Sequence, residues 1–379
     1  MRRGVRRVAS VGLVLTCVCG AALGAGSAHA ASRSVRTHVG LVLDTASVGT
    51  QPVAVAVDGK TRLAFVASSD NVSVIDATTS ISITSIKGGV GNDPYGASPH
   101  AVAIDEKTGR AFVANFGSNS VSVIDASTGK LLRTTKVGSG PGAVAVDERT
   151  QRVFVTNFSS DNVTVLDARS GAGLSTVRVG QAPTAVAVDT RAGRVFVTNF
   201  ATNNVSVLNA TTGAFVSLVS VGLKPNDVAV DEKTGHAFVA NWDDSTVSVL
   251  STTTYKVLRT VSVDLTPVAL AVNSAGGQVF VANFTGNSVS ILDTRTGASL
   301  ASVPTGTFPS AVTVDATSGY AFIANAGSNS VSVLDVRRRK IVRTVSVGQY
   351  PNAVAIAQKD GRALVTNQQD NSLSVLSTK

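Results

Sequence analysis

A seven-residue phrase, Pro-x-Ala-Val-Ala-Val-Asp with small variations, returns eight times along this chain of 379 residues. Its prolines stand at Pro52, Pro99, Pro141, Pro183, Pro225, Pro267, Pro309 and Pro351; the last six intervals are 42 residues and the first is 47. Such a period marks an architecture in which each unit is one supersecondary element that buries its apolar face against its neighbours. Most side chains therefore serve the repeat, and function has to be sought where a unit departs from it.

The third unit shows the pattern. Pro141–Asp147 is followed by Arg152–Asn157 and a phenylalanine, then Asn162–Asp167, then Ser175–Gly180. Each piece is a short run rich in Val, Phe and Thr, bounded by Gly, Asp, Asn or Pro, which reads as a strand between turns. Four strands in 42 residues fit the blade of a β-propeller. No window carries apolar residues at helical spacing. The Asp that ends each first strand (Asp58, Asp105, Asp147, Asp189, Asp231, Asp315) is placed to accept N–H groups of the turn that follows. A ring of metal ligands is the competing reading of the same residues.

Closure can be counted. The eighth unit runs out after its third strand, near Leu376, whereas Thr45–Pro52 parallels Thr344–Pro351. Residues of about 39–49 are expected to supply the missing outer strand, which would leave no open sheet edge. The expected fold is all-β: an eight-bladed propeller of four-stranded antiparallel blades, closed by the N-terminal strand, with eight repeat units from about residue 50 and one domain over 39–379.

Arg2, Arg3, Arg6 and Arg7 precede an apolar stretch that ends near Ala28-His29-Ala30. This reads as a signal peptide over 1–30, cleaved near Ala30 and followed by a short extension over 31–38, so the chain is expected to be exported from a bacterial cell. No other stretch is long enough to span a bilayer. Cleavage would remove Cys17 and Cys19, leaving no thiol or disulfide chemistry. It would also lower the formal charge from +9 to +5, because the leader holds four arginines and no acid. A mild excess of that size does not demand a nucleic-acid partner. The one basic cluster, Arg337, Arg338, Arg339 and Lys340, reads as a solvated turn, or else as a contact for nucleic acid or an anionic polymer.

In a propeller, the loops into the first strands and those between second and third strands share one face around the central channel. Three departures fall there. An insertion before the second unit brings Tyr95 and His100 beside the repeat proline. Asn226-Asp227 puts a carboxylate where the other units have alanine (54, 101, 143, 185, 269, 311, 353), a candidate cation ligand or general base. Aromatic residues follow the repeat Asn in five successive units, Phe116, Phe158, Phe200, Trp242 and Phe284. Exposed, they would form a partner site; recurrence in register favours packing between blades instead. Trp242-Asp243-Asp244 breaks the pattern and joins the partner-binding candidates. The repeat Asn itself (115, 157, 199, 241, 283, 325, 367) is expected to bond backbone in its loop.

The second strands read Phe-Val-Thr-Asn at 154–157 and 196–199, Phe-Val-Ala-Asn at 112–115, 238–241 and 280–283, Phe-Ile-Ala-Asn at 322–325 and Leu-Val-Thr-Asn at 364–367. In these motifs the chain resembles the YVTN family of β-propeller repeats over nearly all of residues 45–379. The first unit departs from the pattern, reading Phe65-Val66-Ala67-Ser68 with a shorter loop after it. The resemblance implies a surface-layer or secreted propeller and, more distantly, the propeller lactonases and a streptogramin lyase, in which a histidine near the channel takes part in chemistry. Two functional readings follow. The first is a monomeric, non-catalytic scaffold that binds a protein or cell-envelope component through its loop face, with no cofactor. The second is a lactonase-like hydrolase or lyase at the channel mouth, using His100, Asp227 and Tyr95 with a divalent cation held in part by Asp227.

Overall fold

The structure, a computed structural model, describes residues 38–87 and 98–379. The expected signal peptide and Tyr95 lie outside the described residues. Thirty-two strands form eight antiparallel sheets of four. In the second blade the order from the channel outward is Pro99–Asp105, Arg110–Asn115, Ser120–Asp125 and Leu131–Lys136. The first strands of successive blades contact one another around the ring, which makes them the inner wall.

The closing strand is where the repeat count placed it. Val42–Ser47 pairs antiparallel with Ser372–Ser377, Ala46 facing Leu373 and Ser47 facing Ser372. The blade it completes continues inward through Arg362–Asn367 to Pro351–Ala357. Every blade therefore has four strands, and the ring is joined by hydrogen bonds rather than by chain continuity.

The core lies between blades. The second strand of each of the first seven blades contributes one phenylalanine with no exposure: Phe65, Phe112, Phe154, Phe196, Phe238, Phe280 and Phe322. Phe112 of the second blade packs with Val144, Val153, Val155 and Leu166 of the third. Burying such a ring contributes about 1.5–3 kcal/mol. The period-2 alternation of each strand thus sends alternate side chains into the two flanking interfaces.

The loops are stapled from blade to blade. The residue before each repeat proline is left-handed, as at Lys224 (φ 52°) and Phe308 (φ 55°). That geometry aims its N–H at a side-chain oxygen of the preceding blade. Lys224 donates to Asn203 Oδ1 and Phe308 to Asn287 Oδ1, each at 2.9 Å. The acceptors are themselves left-handed, a conformation asparagine tolerates better than most residues. Gln51 donates to Asn371 Oδ1 at 2.8 Å, which carries the same staple across the closure.

The repeat Asn behaves differently from expectation. Asn157 Nδ2 donates to Asn162 Oδ1 at 2.7 Å and Thr164 Oγ1 at 2.9 Å; Asn115 Nδ2 donates to Ser120 and Ser122 Oγ. It bonds side chains of the third strand, not loop backbone. Antiparallel register sets Asn157 directly opposite Asn162, so those polar groups are its nearest partners once all are buried.

Candidate functional site

The loop face carries the aromatic series. Phe116 and Phe158 are 37% and 38% exposed; Phe200, Trp242 and Phe284 are half-buried. The series is neither fully packed nor free: Phe200 and Phe284 lean on an aromatic ring of the next unit, and Phe116 on His100 of its own. Phe200 and Trp242, one repeat apart, have ring centroids 6.2 Å apart. Phe284 stacks on Phe308 at 4.9 Å, the planes inclined by 13°. Phe308, 42% exposed, extends the arc by a residue that the aromatic-after-Asn pattern does not contain. Its only sequence signal is its place before a repeat proline. Leu223 and Leu265, both exposed, sit two residues before their prolines and add aliphatic surface to the same face.

Trp242 anchors a local network. Lys224 Nζ lies 5.1 Å from its ring centroid and 3.0 Å from Asp243 Oδ2. Asp244 Oδ2 accepts the Leu223 N–H at 2.6 Å. The acids that break the motif thus fix the loop in front of the fifth blade, and the tryptophan carries a cation on its face.

His100 opens the inner strand of the second blade, Pro99–Asp105, one residue after the repeat proline. Its ring meets Phe116 of the same blade at 5.6 Å. Burial pushes its pKa below the usual 6.5, so the imidazole is neutral at pH 7.

Asp227 sits in the inner strand of the fifth blade, Pro225–Asp231, and is 4% exposed. Its Oδ1 accepts the N–H of Val228 and its Oδ2 that of Leu270, both at 2.8 Å. Burial raises its pKa to about 7 against those two bonds. Asn226 beside it donates to Val268 O at 3.0 Å. Leu270 and Val268 belong to the inner strand of the next blade, Pro267–Asn273. Asn226 and Asp227 together therefore latch the fifth blade to the sixth. Thr184 makes the matching contact one blade earlier, to Pro225 O at 3.2 Å, and Ser310 reaches Pro351 O at 2.9 Å. The structure places His100 and Asp227 on inner strands three blades apart, and among the described residues no hydrogen bond or ring contact joins them. Among the described residues no three His, Cys, Asp or Glu side chains converge as a metal-binding group.

The opposite, turn face has another chemistry. The aspartates ending the inner strands form the expected turns: Asp105 Oδ1 accepts the N–H groups of Lys107 (2.9 Å) and Thr108 (3.1 Å), and Asp147 Oδ1 those of Arg149 (2.9 Å) and Thr150 (3.2 Å). Two residues after these aspartates come Lys60, Lys107, Arg149, Arg191 and Lys233 on five successive blades. Each reaches a backbone carbonyl of the following blade, as Lys107 does to Glu148 O at 3.0 Å and Arg149 to Thr190 O at 2.9 Å. The cluster Arg337, Arg338, Arg339 and Lys340 lies on this face too, with Arg338 3.5 Å from Asp335.

Comparison with known proteins bears on the fold. No protein-family model matches the chain, and no curated protein does, so the YVTN resemblance rests on the repeat residues alone. Among solved structures, the computationally designed Ika8 protein matches with a TM-score of 0.71 at 17% identity, covering 88% of this chain and 99% of its own. A chain of the hydrazine synthase of Kuenenia stuttgartiensis matches with a TM-score of 0.63 at 18% identity, over 74% of this chain and 95% of its own. The chain is an eight-bladed β-propeller. At these identities the likeness speaks to the propeller fold and not to activity. No helix among the described residues is long and apolar enough to cross a membrane.

Proposed function

We propose that the chain is an exported, non-catalytic propeller scaffold that docks a protein or other cell-envelope component on its loop face. The observation that supports this is the half-exposed aromatic arc from Phe116 through Phe308. Aromatic rings held rigid by neighbours are strong interface anchors, because little side-chain entropy remains to be lost on binding. Among the described residues, the loops of this face also carry Asp70, Asp161, Asp243, Asp244, Asp264 and Asp370 against the single cation Lys224. A partner with apolar and basic residues is the complement of such a surface.

The test immobilises the chain and a Phe116→Ser/Phe158→Ser double variant and compares capture from cell-envelope extracts. Loss of the captured species in the double variant, with its melting temperature kept, supports the reading. Capture that persists there and disappears in an Arg337→Ser/Arg338→Ser variant removes it.

One observation favours a second reading, a lactonase-like hydrolase or lyase working with a divalent cation. The proton affinity of Asp227, near neutrality, is what a general base needs. A screen with lactone and lyase substrates tests it. Turnover abolished by Asp227→Ala and by His100→Ala supports catalysis; full turnover in both variants removes it.

A further inference from the structure

We infer a binding site for a phosphate- or sulfate-bearing small molecule on the turn face, between the second and third blades. A cavity of about 310 Å³ there is lined by Lys107, Thr108, Arg110, Gln151 and Arg169. Three of the five are cations and none is a carboxylate. The comparable cavity between the fourth and fifth blades has Asp189 and Glu232 among its walls, beside Arg191, Arg194 and Lys233. There carboxylates stand in the wall itself; in the first cavity none does, although Asp105 and Asp125 lie across the strand pairs from Arg110.

Arg110 carries the argument further. It opens the second strand of its blade, and in five other blades the polar residue at that position has a partner. Arg152 Nη1 lies 3.6 Å from Asp167 Oδ2, His236 Nδ1 lies 2.8 Å from Thr294 O, Arg362 Nη1 donates to Ala77 O at 3.0 Å, Gln278 Nε2 to Val336 O at 3.3 Å, and Arg194 Nε to the Tyr255 hydroxyl. Arg110 Nε is buried with no partner among the described residues, and so is Thr108 Oγ1 in the same wall. A buried guanidinium N–H without an acceptor has lost its water and gained nothing in return, a cost that an arriving oxyanion would relieve. Gly171 stands in the third blade where the fifth has Tyr255, and so brings no side chain toward Arg110 as Tyr255 does toward Arg194.

The donor set suits a tetrahedral oxyanion. Arg110 presents the planar fork that grips two oxygens at once. Lys107 uses one of its N–H donors on Glu148 O, and Arg169 uses Nε on Gln151 Oε1 at 3.3 Å, which orients both without neutralising them. Gln151 is held in turn by Glu148 O at 2.8 Å. The nearby carboxylates Asp105 and Glu148 accept backbone N–H groups. The volume exceeds a bare phosphate, so the anion is expected to come on a small organic body.

Titration calorimetry of the purified chain with glucose 6-phosphate, inorganic phosphate, inorganic sulfate and glucose tests the inference. The expected result is saturable binding of glucose 6-phosphate, none of glucose, and weaker binding by the bare ions. Arg110→Gln is expected to lower the affinity about ten-fold or more, as loss of a charge-assisted bond does. Arg152→Gln, the equivalent residue of the third blade, which faces Asp167 at 3.6 Å, is expected to leave it unchanged. Should Arg110→Gln fail to fold, the exposed Arg169→Gln gives the same reading. No saturable binding of any anion overturns the inference, as does equal affinity in the wild type and Arg110→Gln, or equal loss in Arg152→Gln.

Discussion

The two faces of this disc are made by the same repeat, yet they use their Asn and Asp side chains differently and carry opposite charge. On the loop face, side chains bond across blades: Asn203 to Lys224, Asn287 to Phe308 and Asp161 to Ala182. On the turn face, aspartates bond their own turns, as Asp125 does to Ser127 and Thr128. The first arrangement frees aromatic rings to stand at the surface, because the backbone beneath them is fixed by other residues. The second leaves the turn positions after each aspartate free for lysine and arginine, and these accumulate there. A repeat protein can thus diversify each face independently, using the positions that face does not need for its own geometry.

The sharpest contrast lies within one unit, four residues apart. Phe154 is fully buried between blades and Phe158 stands 38% exposed on the loop face. Phe154→Ala is expected to cost about 3–5 kcal/mol in chemical denaturation, and Phe158→Ala less than about 1 kcal/mol. Similar costs would mean that the loop-face ring is core, and the docking surface would lose its anchor.

A second contrast is in pH. The Asp227 carboxyl keeps its proton to about pH 7 in the folded chain, whereas the ordinary value is 3.8. The folded state then binds more protons than the unfolded one between those values, so stability falls as pH rises through that window. Asp227→Ala, which restores the residue of the other seven units, is expected to remove this fall. The stability difference between variant and wild type should swing in the variant's favour by on the order of 4 kcal/mol between pH 4 and pH 8. Parallel melting curves across that range would show that the carboxylate is not desolvated in solution.

Next in size is the Asn network. Asn157 is buried and serves both Asn162 and Thr164. Asn157→Ala leaves those acceptors without their donor and is expected to cost about 1–3 kcal/mol, read by denaturant titration. Asp167→Ala, on the half-exposed turn of the same blade, is expected to cost less than Asn157→Ala. Equal costs would erase the distinction between cross-strand and local fastening.

The smallest effect belongs to the turn face in acid. The hydroxyl of Thr78 lowers the pKa of Asp76, that of Ser127 lowers Asp125, and the backbone N–H of Thr296 lowers Asp293. Their contribution is complete above the ordinary 3.8 and is lost as pH falls below it. Melting temperature should therefore drop below about pH 4 in the wild type, and less so when these three are replaced by asparagine, as at Asn209. This slope is opposite in sign to that of Asp227.

The architecture was legible because its signals are local and repeated. Proline spacing gave the blade count, and the kinship of Thr45–Pro52 with Thr344–Pro351 gave the closure. The turn aspartates were legible because an Asx turn involves only the next three residues. What escaped depends on neighbours a blade away. Asp227 reads from sequence as a lone carboxylate at the channel, and its second oxygen meets Leu270, 43 residues further on. Arg110 reads as one of several arginines at a strand start, and its missing partner is visible only once the adjoining blade is in place. The repeat Asn reads from sequence as a loop-backbone ligand, because its third-strand partners come into reach only through strand register.

The closing strand has a consequence for attachment. Gly40 donates to Ser377 O at 2.7 Å and Ser377 donates to Leu41 O at 2.9 Å, so the two ends of the propeller meet at the outer edge of one blade. A tether or fusion joined at either end would hold the disc by its circumference, like a wheel gripped at the tyre, and would leave both flat sides open to different ligands at once.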